Sequence, residues 1–290
     1  MLLLIKVLVT GVNGFVGPYL VEELVSNRYI VFGCSLENKS KLTNLNKYFQ
    51  CDIVDPAQVE RVIESIRPDV VFHLAGFSSV SKSFENPELC FKINVGGIKN
   101  FTDSFEKLRI FPKLVLISSR EVYGQPKKNP VNEKTDLNPL SPYAKSKVEQ
   151  EKIALSYKKS IIIRAFNHTG TDQPDTFVIP SFKKQVKEAK NGGSIFVGNL
   201  DVVIDFSNVL EVVKAYRMIL EKGDYGEIYN VGSGKGYLLK EILEKMIKES
   251  GKDVSIVLDS KKYRALDIKE VISDNSKVGK LGVKIKGYFD

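Results

Sequence analysis

The chain has 290 residues and a net charge of +8, and 43% of its residues are hydrophobic while 27% are charged. These values are typical of a soluble globular enzyme with one large domain or two small ones. No apolar run approaches the roughly 20 residues that cross a bilayer, and the apolar start at residues 2–5 lacks the preceding basic region of a signal peptide. Lysines lie among glutamates, which predicts a solvated surface suited to an anionic nucleotide and not a nucleic-acid-binding face.

The first predicted element is a buried strand that leads through a glycine-rich turn into a helix. The strand covers residues 5–10, the turn residues 11–17 (GVNGFVG), and helical spacing begins at Tyr19. In this order Gly11 permits a tight turn, Gly14 lets the backbone approach a pyrophosphate, and Gly17 allows close packing of helix on strand. A purely structural glycine turn is the alternative. The predicted dinucleotide contacts in this loop are Gly11, Asn13, Gly14, Phe15, Val16 and Gly17.

The end of the second predicted strand, residues 29–35, bears on the choice of cofactor. An acidic residue at this tip would bind the adenosine ribose hydroxyls and repel a 2′-phosphate. Here the tip is the neutral Ser35, followed by Glu37 and then by Lys39 and Lys41. Ser35 and the lysines favour NADP(H), whereas Glu37 leaves NAD(H) open.

Three further strands should end at the same edge of the sheet. The first of these strands ends before Asp52, the second covers residues 70–76 and the third covers residues 114–119. A helix is predicted to begin at Phe91. Strands that alternate with helices predict an α/β fold with a doubly wound parallel sheet, whose site lies along the carboxyl ends of the strands. Asp52 could equally be a turn aspartate, and His73, inside an apolar run, is more typical of a core residue. The predicted cofactor neighbours are Asp52, Ile53, Leu74, Ala75, Gly76, Asn94 and Ser118.

The segment at residues 141–147 (SPYAKSK) is the strongest candidate for chemistry. Tyr143 and Lys147 are four residues apart, so they share one face of a helix. A lysine ammonium beside a phenol favours the phenolate and should lower the pKa of Tyr143 towards neutral pH, where it could exchange a proton with an alcohol or ketone. An ordinary surface pair is the alternative reading of these two residues alone.

These motifs together resemble the extended short-chain dehydrogenase/reductase family, the NAD-dependent epimerases and dehydratases of nucleotide sugars. The matching segments are residues 10–17 (TGVNGFVG), 73–76 (HLAG), 118–124 (SSREVYG) and the Tyr143-x-x-x-Lys147 pair. The resemblance implies a Rossmann-type sheet with a smaller C-terminal substrate lobe. It also implies that Ser119 donates a hydrogen bond to the substrate oxygen beside Tyr143, and that Lys147 holds the nicotinamide ribose.

The second half of the chain is similar to the family branch that reduces GDP-6-deoxy-4-keto-D-mannose. The similarity rests on residues 164–170 (RAFNHTG), 177–180 (FVIP), 197–200 (VGNL), 205–206 (DF) and 229–234 (YNVGSG). This chain departs from the branch at Ile204, where relatives usually carry arginine, and at Ala265, where proline is expected. Helix packing at 177–182 and a plain surface charge at Arg264 are the alternatives. The implied substrate contacts are Ser79, Arg120, Glu121, Asn167, Val178, Asn199 and Arg264.

Several reactions fit this resemblance. The first hypothesis is NAD(P)H-dependent reduction of the 4-keto group of a nucleotide-linked 6-deoxyhexose, with GDP-D-rhamnose as the favoured product. A 4,6-dehydratase usually carries an Asp-Glu pair after the catalytic hydroxyl; here Arg120 cannot act as an acid, but Glu121 remains. A 4-epimerase also stays open. A hypothesis from another class is a catalytically idle NAD(P)-binding scaffold.

The resemblance also predicts an architecture and an assembly. The NAD(P)-binding domain should cover residues 1–166 and 204–231, and the nucleotide-sugar lobe residues 167–203 and 232–290. Helices at 91–108 and 143–158 are the candidates for a four-helix bundle that pairs two protomers. The three cysteines lack C-x-x-C spacing and, with two histidines in the chain, predict reduced thiols in a cytoplasmic protein without a metal site.

Overall fold

The computed structural model describes residues 4–259 and 268–290, so the start of the apolar segment and the predicted substrate contact Arg264 lie outside the described residues. The elements of the first half are β1 (Lys6–Thr10), α1 (Val16–Ser26), β2 (Ile30–Ser35), β3 (Lys47–Gln50), α2 (Pro56–Ile66), β4 (Val70–His73), α3 (Val80–Glu85), α4 (Pro87–Phe91), α5 (Gly97–Leu108), β5 (Lys113–Ser119), α6 (Pro142–Ser156) and β6 (Ser160–Ala165). The second half contains β7 (Asn167–Thr169), α7 (Val178–Glu188), β8 (Gly193–Val197), β9 (Val203–Asn208), α8 (Val209–Lys222), β10 (Ile228–Val231), β11 (Gly236–Leu238), α9 (Leu239–Ser250), β12 (Val254–Leu258), β13 (Glu270–Val271) and α10 (Ser276–Gly279).

A seven-stranded parallel sheet forms the larger part of the fold. Its strand order is β10-β6-β5-β4-β1-β2-β3, so the order reverses beside β1. The central strands are buried along nearly their whole length, which is why they appear in the sequence as continuous apolar runs instead of alternating ones. The predicted Rossmann-type α/β fold is confirmed.

Helices cover both faces of this sheet. On one face α1 and α8 bury Leu20, Leu24 and Tyr216 against the strands. On the other face α2, α5 and α6 contribute a second core that includes Phe101 and Phe105. A helix predicted to begin at residue 91 is interrupted there: α4 ends, a π-helical turn spans Lys92–Gly96, and α5 follows.

The second lobe has a core of its own, formed by α7, α9 and the strands beside them. β9 pairs with β11, β13 and β7 in a separate sheet, and β8 pairs with β12. Residues 204–208, predicted with the larger domain, therefore belong to the smaller sheet by strand pairing, whereas α8 and β10 pack in the larger part. The domain boundaries as a whole stay a prediction. Ile204, at the position where relatives usually carry arginine, is buried in this second core.

Asp205 on β9 connects three separate segments of the chain. The carboxylate is fully buried. Oδ1 accepts from Ser233 N (2.8 Å) and Ser233 Oγ (2.5 Å). Oδ2 accepts from Gly234 N (3.0 Å), Ser273 N (3.1 Å) and Ser273 Oγ (2.9 Å). Five hydrogen bonds to one ionised group hold the 232–234 turn and the segment after β13 against β9.

No helix within residues 4–259 and 268–290 has the length and apolar character that a membrane span requires.

Candidate active site

The glycine-rich loop lies between β1 and α1 at the carboxyl edge of the large sheet. Gly11 has a φ of +67°, and its N–H donates to Cys34 O at 2.7 Å, which ties the loop to β2. A Cβ atom on Gly17 would lie 2.1 Å from Val12 O, so only glycine allows α1 to begin this close to the strand. Backbone N–H groups at the start of α1 are suited to bind a pyrophosphate. The loop therefore fits the dinucleotide predicted for it.

Asn13 joins this loop to the end of β2. Its backbone N–H donates to Ser35 Oγ (3.1 Å), while its side-chain amide donates to Glu37 Oε2 (3.2 Å) and Lys39 O (3.1 Å). The Glu37 carboxylate is thus fixed beside the loop, where an adenosine ribose would be expected, and the tip hydroxyl of Ser35 already accepts a hydrogen bond from the protein.

Thr10 connects β1 with the loop after β4. Its hydroxyl accepts from Ala75 N (3.0 Å) and shares a hydrogen bond with His73 Nδ1 (3.3 Å). Burial lowers the pKa of His73 to about 3, so its ring stays neutral. His73 is a core residue, as its apolar surroundings in the sequence suggested. Leu74 packs against the core beside it.

Asn94 places Gly76 next to Lys147. Its Oδ1 accepts from Phe77 N (2.8 Å), and its Nδ2 donates to Ser146 Oγ (2.9 Å). A Cβ atom on Gly76 would lie 2.7 Å from Asn94 Oδ1 and 3.9 Å from Lys147 Nζ. The amide of Asn94 is therefore occupied by protein partners, so this residue, predicted to contact the cofactor, shapes the site through the loop that it holds.

The start of α6 positions Tyr143. Ser141 caps the helix by accepting from Ala144 N at 3.0 Å, and Pro142 occupies the first turn, where its missing N–H has no consequence. Tyr143 N donates to Ser83 Oγ at 3.1 Å, which fixes this turn against α3. As a result Tyr143 is buried, with only 8% of its surface exposed.

The structure brings Ser119, Tyr143 and Lys147 together. Ser119, the last residue of β5, accepts from Glu121 N at 3.2 Å, and its hydroxyl is close enough to the Tyr143 phenol to lower the pKa of that group. Lys147 Nζ donates to Ile117 O (2.9 Å) and Gln150 Oε1 (2.9 Å), and it lies 5.9 Å from the centre of the Tyr143 ring. The predicted triad therefore lies together at the carboxyl edge of the sheet, and the space beside these three side chains is called the crevice below.

The pKa values in this crevice differ from the sequence expectation. Burial raises the pKa of Tyr143 above its usual range, and the nearby Ser119 hydroxyl opposes that rise only in part. The expectation that Lys147 lowers the pKa of Tyr143 is not met, because the cost of burying a phenolate outweighs the charges nearby. Burial also lowers the pKa of Lys147 to about 8, with Glu151 opposing the shift.

Arg120 and Glu121 form a buried ion pair beside the phenol. Arg120 Nη2 lies 3.0 Å from Glu121 Oε1, and the two side chains are 6% and 14% exposed. Glu121 raises the pKa of Tyr143 while Arg120 lowers it, so both charges act on the candidate proton donor. Within the described residues Arg120 Nε has no hydrogen-bond partner. A buried donor of this kind is suited to an oxygen of a bound sugar nucleotide.

Three other predicted cofactor contacts have structural roles. Asp52 Oδ1 accepts from Val54 N at 2.9 Å, as a turn aspartate does. Ile53 packs so closely that a Cβ atom on Gly97 would lie 2.6 Å from its Cδ1. Ser118 Oγ donates to Glu151 Oε1 at 2.5 Å. The side chains of Asp52, Ile53 and Ser118 therefore stabilise the edge of the sheet where the loops meet.

The predicted substrate contacts are spread over several elements. Ser79 caps α3 by accepting from Lys82 N (3.3 Å), and Asn199 Oδ1 accepts from Asp201 N (2.9 Å). Val178 is the first residue of α7 and packs on the core of the second lobe, which agrees with the helix-packing alternative. Asn167 Oδ1 is buried without a hydrogen-bond partner among the described residues, so it can accept from a ligand.

Sequence reasoning missed two groups of residues near this site. His168 stacks on Phe15 of the glycine-rich loop, with ring centres 6.0 Å apart and planes 8° apart. Behind Lys147, Glu151 forms a buried ion pair with Arg164 at 2.7 Å. The position of Glu151, one helical turn after Lys147, was a signal in the sequence that could have identified it.

Comparisons with known proteins agree with this geometry. The model of the family described as GDP-mannose 4,6 dehydratase matches residues 8–289. The chain belongs to the GDP-mannose 4,6-dehydratase family. A GDP-6-deoxy-D-mannose reductase of Pseudomonas aeruginosa is 29% identical, over 94% of this chain and 89% of that protein.

Solved structures that are similar to this chain have the same fold. The structure of RMD from Pseudomonas aeruginosa complexed with NADPH is 28% identical, with a TM-score of 0.82 over 96% of this chain and 93% of that one. The UDP-glucose 4-epimerase of Thermus thermophilus in complex with NAD is 27% identical, with a TM-score of 0.84 over 97% of this chain and 94% of that one. The family resemblance drawn from the sequence is confirmed. Within the described part of the chain, no group of three or more His, Cys, Asp or Glu side chains is placed to share a metal ion.

Proposed function

We propose that this protein uses a reduced nicotinamide dinucleotide to reduce the 4-keto group of a nucleotide-linked 6-deoxyhexose. The observation that carries the proposal is that Ser119, Tyr143 and Lys147 lie together at the carboxyl edge of the sheet, where Ser119 acts on the phenol and Lys147 Nζ lies 5.9 Å from the centre of its ring. The glycine-rich loop, from Gly11 to Gly17, would hold the dinucleotide at the same edge. The similarity to an enzyme named GDP-6-deoxy-D-mannose reductase supports this reaction.

The chemistry assigns one role to each side chain. A dinucleotide held by the glycine-rich loop would supply the hydride for the keto carbon. Tyr143 donates its phenolic proton to the carbonyl oxygen, and its raised pKa keeps that proton in place at neutral pH. Ser119 donates a hydrogen bond to the same oxygen as negative charge develops there. The Lys147 ammonium stabilises the phenolate that remains after proton transfer.

The ion pair of Arg120 with Glu121 favours reduction over dehydration. Removal of water across C5 and C6 needs a carboxylate free to take and return a proton, whereas Glu121 is paired with Arg120 at 3.0 Å. Dehydration is the second candidate, because Glu121 remains close enough to Tyr143 to affect its pKa and relatives named GDP-mannose 4,6-dehydratase share 26–28% identity with this chain.

We propose GDP-4-keto-6-deoxy-D-mannose as the substrate and GDP-D-rhamnose as the product, on the strength of the motifs at 164–170 and 177–180. NADP(H) is the proposed cofactor, because the tip of β2 is the neutral Ser35 and Lys39 and Lys41 follow it. The carboxylate of Glu37 beside the glycine-rich loop is the feature that would favour NAD(H) instead.

We also propose that the protein acts as a cytoplasmic homodimer paired through a four-helix bundle. The helices involved would be α5 and α6. Leu155 on α6 is 40% exposed, and Leu89 on α4 is 41% exposed, so each helix has an exposed apolar side chain that suits a contact between protomers. Buried, free Cys34, Cys51 and Cys90 suit a reducing compartment.

The test is a panel of GDP-, dTDP- and UDP-linked 4-keto-6-deoxysugars with NADPH or NADH, followed by absorbance at 340 nm. We expect the wild-type protein to oxidise NADPH with the GDP sugar, and Tyr143→Phe to lose at least about 100-fold in kcat while nucleotide-sugar binding stays near normal. Tyr157→Phe is the matched control, because Tyr157 directly follows α6 and donates to Pro112 O at 2.7 Å outside the crevice. Full activity of Tyr143→Phe would contradict the role of proton donor, and a wild-type protein that turns over none of the sugars would favour the scaffold.

A further inference from the structure

A buried carboxylate lies directly behind the candidate catalytic lysine. Glu151 follows Lys147 by one turn of α6, and only 3% of its surface is exposed. Oε1 accepts from Ser118 Oγ (2.5 Å) and Arg164 Nε (3.0 Å), and Oε2 accepts from Arg164 Nη2 (2.7 Å). The carboxylate is thus fixed by strands β5 and β6 while it projects from the helix that carries Lys147.

The arginine that pairs with Glu151 is itself held in place. Arg164 Nη1 donates to Tyr123 Oη at 3.0 Å and to Glu133 O at 3.2 Å. Tyr123 in turn donates to Asn230 Oδ1 at 2.7 Å. Two cations, Lys147 and Arg164, therefore face one anion in the interior. A buried ion pair often adds no stability over an apolar pair of similar volume, so packing alone does not account for charged residues here.

Three further titratable groups lie near Lys147 in the described part of the chain and are neutral, while the charged Arg120 and Glu121 lie beyond Tyr143 and are paired with each other. The three neutral groups are Tyr143 on the same helix, Cys90 on α4 and His73 on β4. Burial raises the pKa of Tyr143 and of Cys90 and lowers that of His73, so each of the three is uncharged near neutral pH. Burial also lowers the pKa of Lys147, and Glu151 provides the main opposing charge among the described residues.

We propose that Glu151 is a positioning residue whose carboxylate, clamped by Arg164 and Ser118, keeps the Lys147 ammonium charged inside the crevice. Arg164 and Ser118 together hold both oxygens of the carboxylate in place. This proposal rests on the proposed function in one respect: the catalytic role of Lys147, which is to stabilise the phenolate of Tyr143. The charge state of Lys147 is a property of the folded chain and can be measured without substrate.

The direct test is an NMR titration of the lysine side chains labelled with 13C at Cε, with the Lys147 signal identified by its loss in Lys147→Met. Glu151→Gln keeps the shape of the side chain and removes its charge. Because a neighbouring opposite charge moves a pKa by roughly 1–3 units, we expect the proton affinity of Lys147 to fall at least about tenfold when the Glu151 charge is removed. Glu23→Gln is the matched control, since Glu23 forms an ion pair with Arg217 at 2.7 Å on the other face of the sheet.

Glu151→Gln leaves Arg164 buried without its partner, and this variant could fail to fold. The second variant, Glu151→Gln with Arg164→Met, removes both charges of the pair and keeps a side chain of similar length. We expect a lower titration midpoint for Lys147 in this double variant also. A midpoint equal to that of the wild-type protein in whichever variant folds, or an equal fall in Glu23→Gln, would overturn the proposal.

Activity provides the second measurement. With the keto-sugar substrate, the fall in kcat on the alkaline side should move to lower pH in the Glu151 variants by the same interval as the Lys147 titration, while the KM for the sugar nucleotide changes little. A purely structural role would lower kcat at every pH without moving the profile. If the Lys147 midpoint falls as expected in a protein that reduces no keto-sugar, the proposed function fails and the role of Glu151 in charging Lys147 stands.

Discussion

The hydrogen bonds of Asp205 make a quantitative prediction about stability. Asp205→Asn replaces one carboxylate oxygen with an NH2 group and keeps the volume of the side chain. If the NH2 group takes the place of Oδ1, it faces Ser233 N–H; if it takes the place of Oδ2, it faces the N–H groups of Gly234 and Ser273. The hydroxyls can turn to accept, but a backbone N–H cannot, so at least one backbone donor loses its acceptor; in the milder case this is the partly buried N–H of Ser233.

The expected cost follows from that count. Losing a hydrogen bond to a charged group costs about 1.5–3 kcal/mol, and water can reach the partly exposed N–H of Ser233, so no further penalty is added. For a chain of this size about 1 kcal/mol corresponds to roughly 2 °C, so the Tm of Asp205→Asn should fall by roughly 3–6 °C. Thermal unfolding followed by circular dichroism would measure this, with the exposed Asp201→Asn as the control. Equal Tm values for the two variants would refute the assignment of stability to this carboxylate.

Three further predictions follow from the geometry of the site. Glu37→Gln should raise the affinity for NADPH relative to NADH, because the carboxylate beside Asn13 no longer repels a 2′-phosphate. Fluorescence titration with both cofactors measures the ratio of the two affinities, and an unchanged ratio would count against this role. Gly17→Ala should cost about 1–3 kcal/mol in urea unfolding and weaken dinucleotide binding, because its Cβ would overlap Val12 O, whereas Gly96→Ala, with open space around it, should cost little. The keto-sugar reduction rate should fall as pH rises through about 8, because Lys147 is charged only below its pKa; a stopped-flow profile that is flat to pH 10 would contradict this.

The sequence was informative where chemistry depends on short segments of chain. The strand, turn and helix around Gly11 and the capped helix that carries Tyr143 are local patterns, and both lie where they were predicted. Burial is a property of the assembled fold, which is why the pKa of Tyr143 rises although a neighbouring lysine predicted a fall. For the same reason the amide of Asn94 could not be assigned to Ser146 and Phe77, each of which is at least 17 residues away along the chain.

The smaller sheet was the hardest part to predict from sequence. β9 pairs with β11, with β13 more than 60 residues further on, and with β7. Nothing in an apolar run such as that around Ile204 indicates which sheet it joins, because continuous and alternating patterns specify burial and not partners. The core histidine at position 73 could be predicted, in contrast, because its neighbours in the sequence are all apolar.

The junction of β9 with α8 has a consequence for how such a protein can change its substrate. Asn208 is both the last residue of the strand and the cap of the helix, where its Oδ1 accepts from Leu210 N at 2.9 Å. The chain therefore passes from the smaller sheet to the larger part without a spacer. The smaller part consists of several separate segments of the chain. Replacing it with another domain would therefore require several chain connections, each in a rigid place. In such a molecule new specificity is most readily acquired by exchanging single side chains along the crevice.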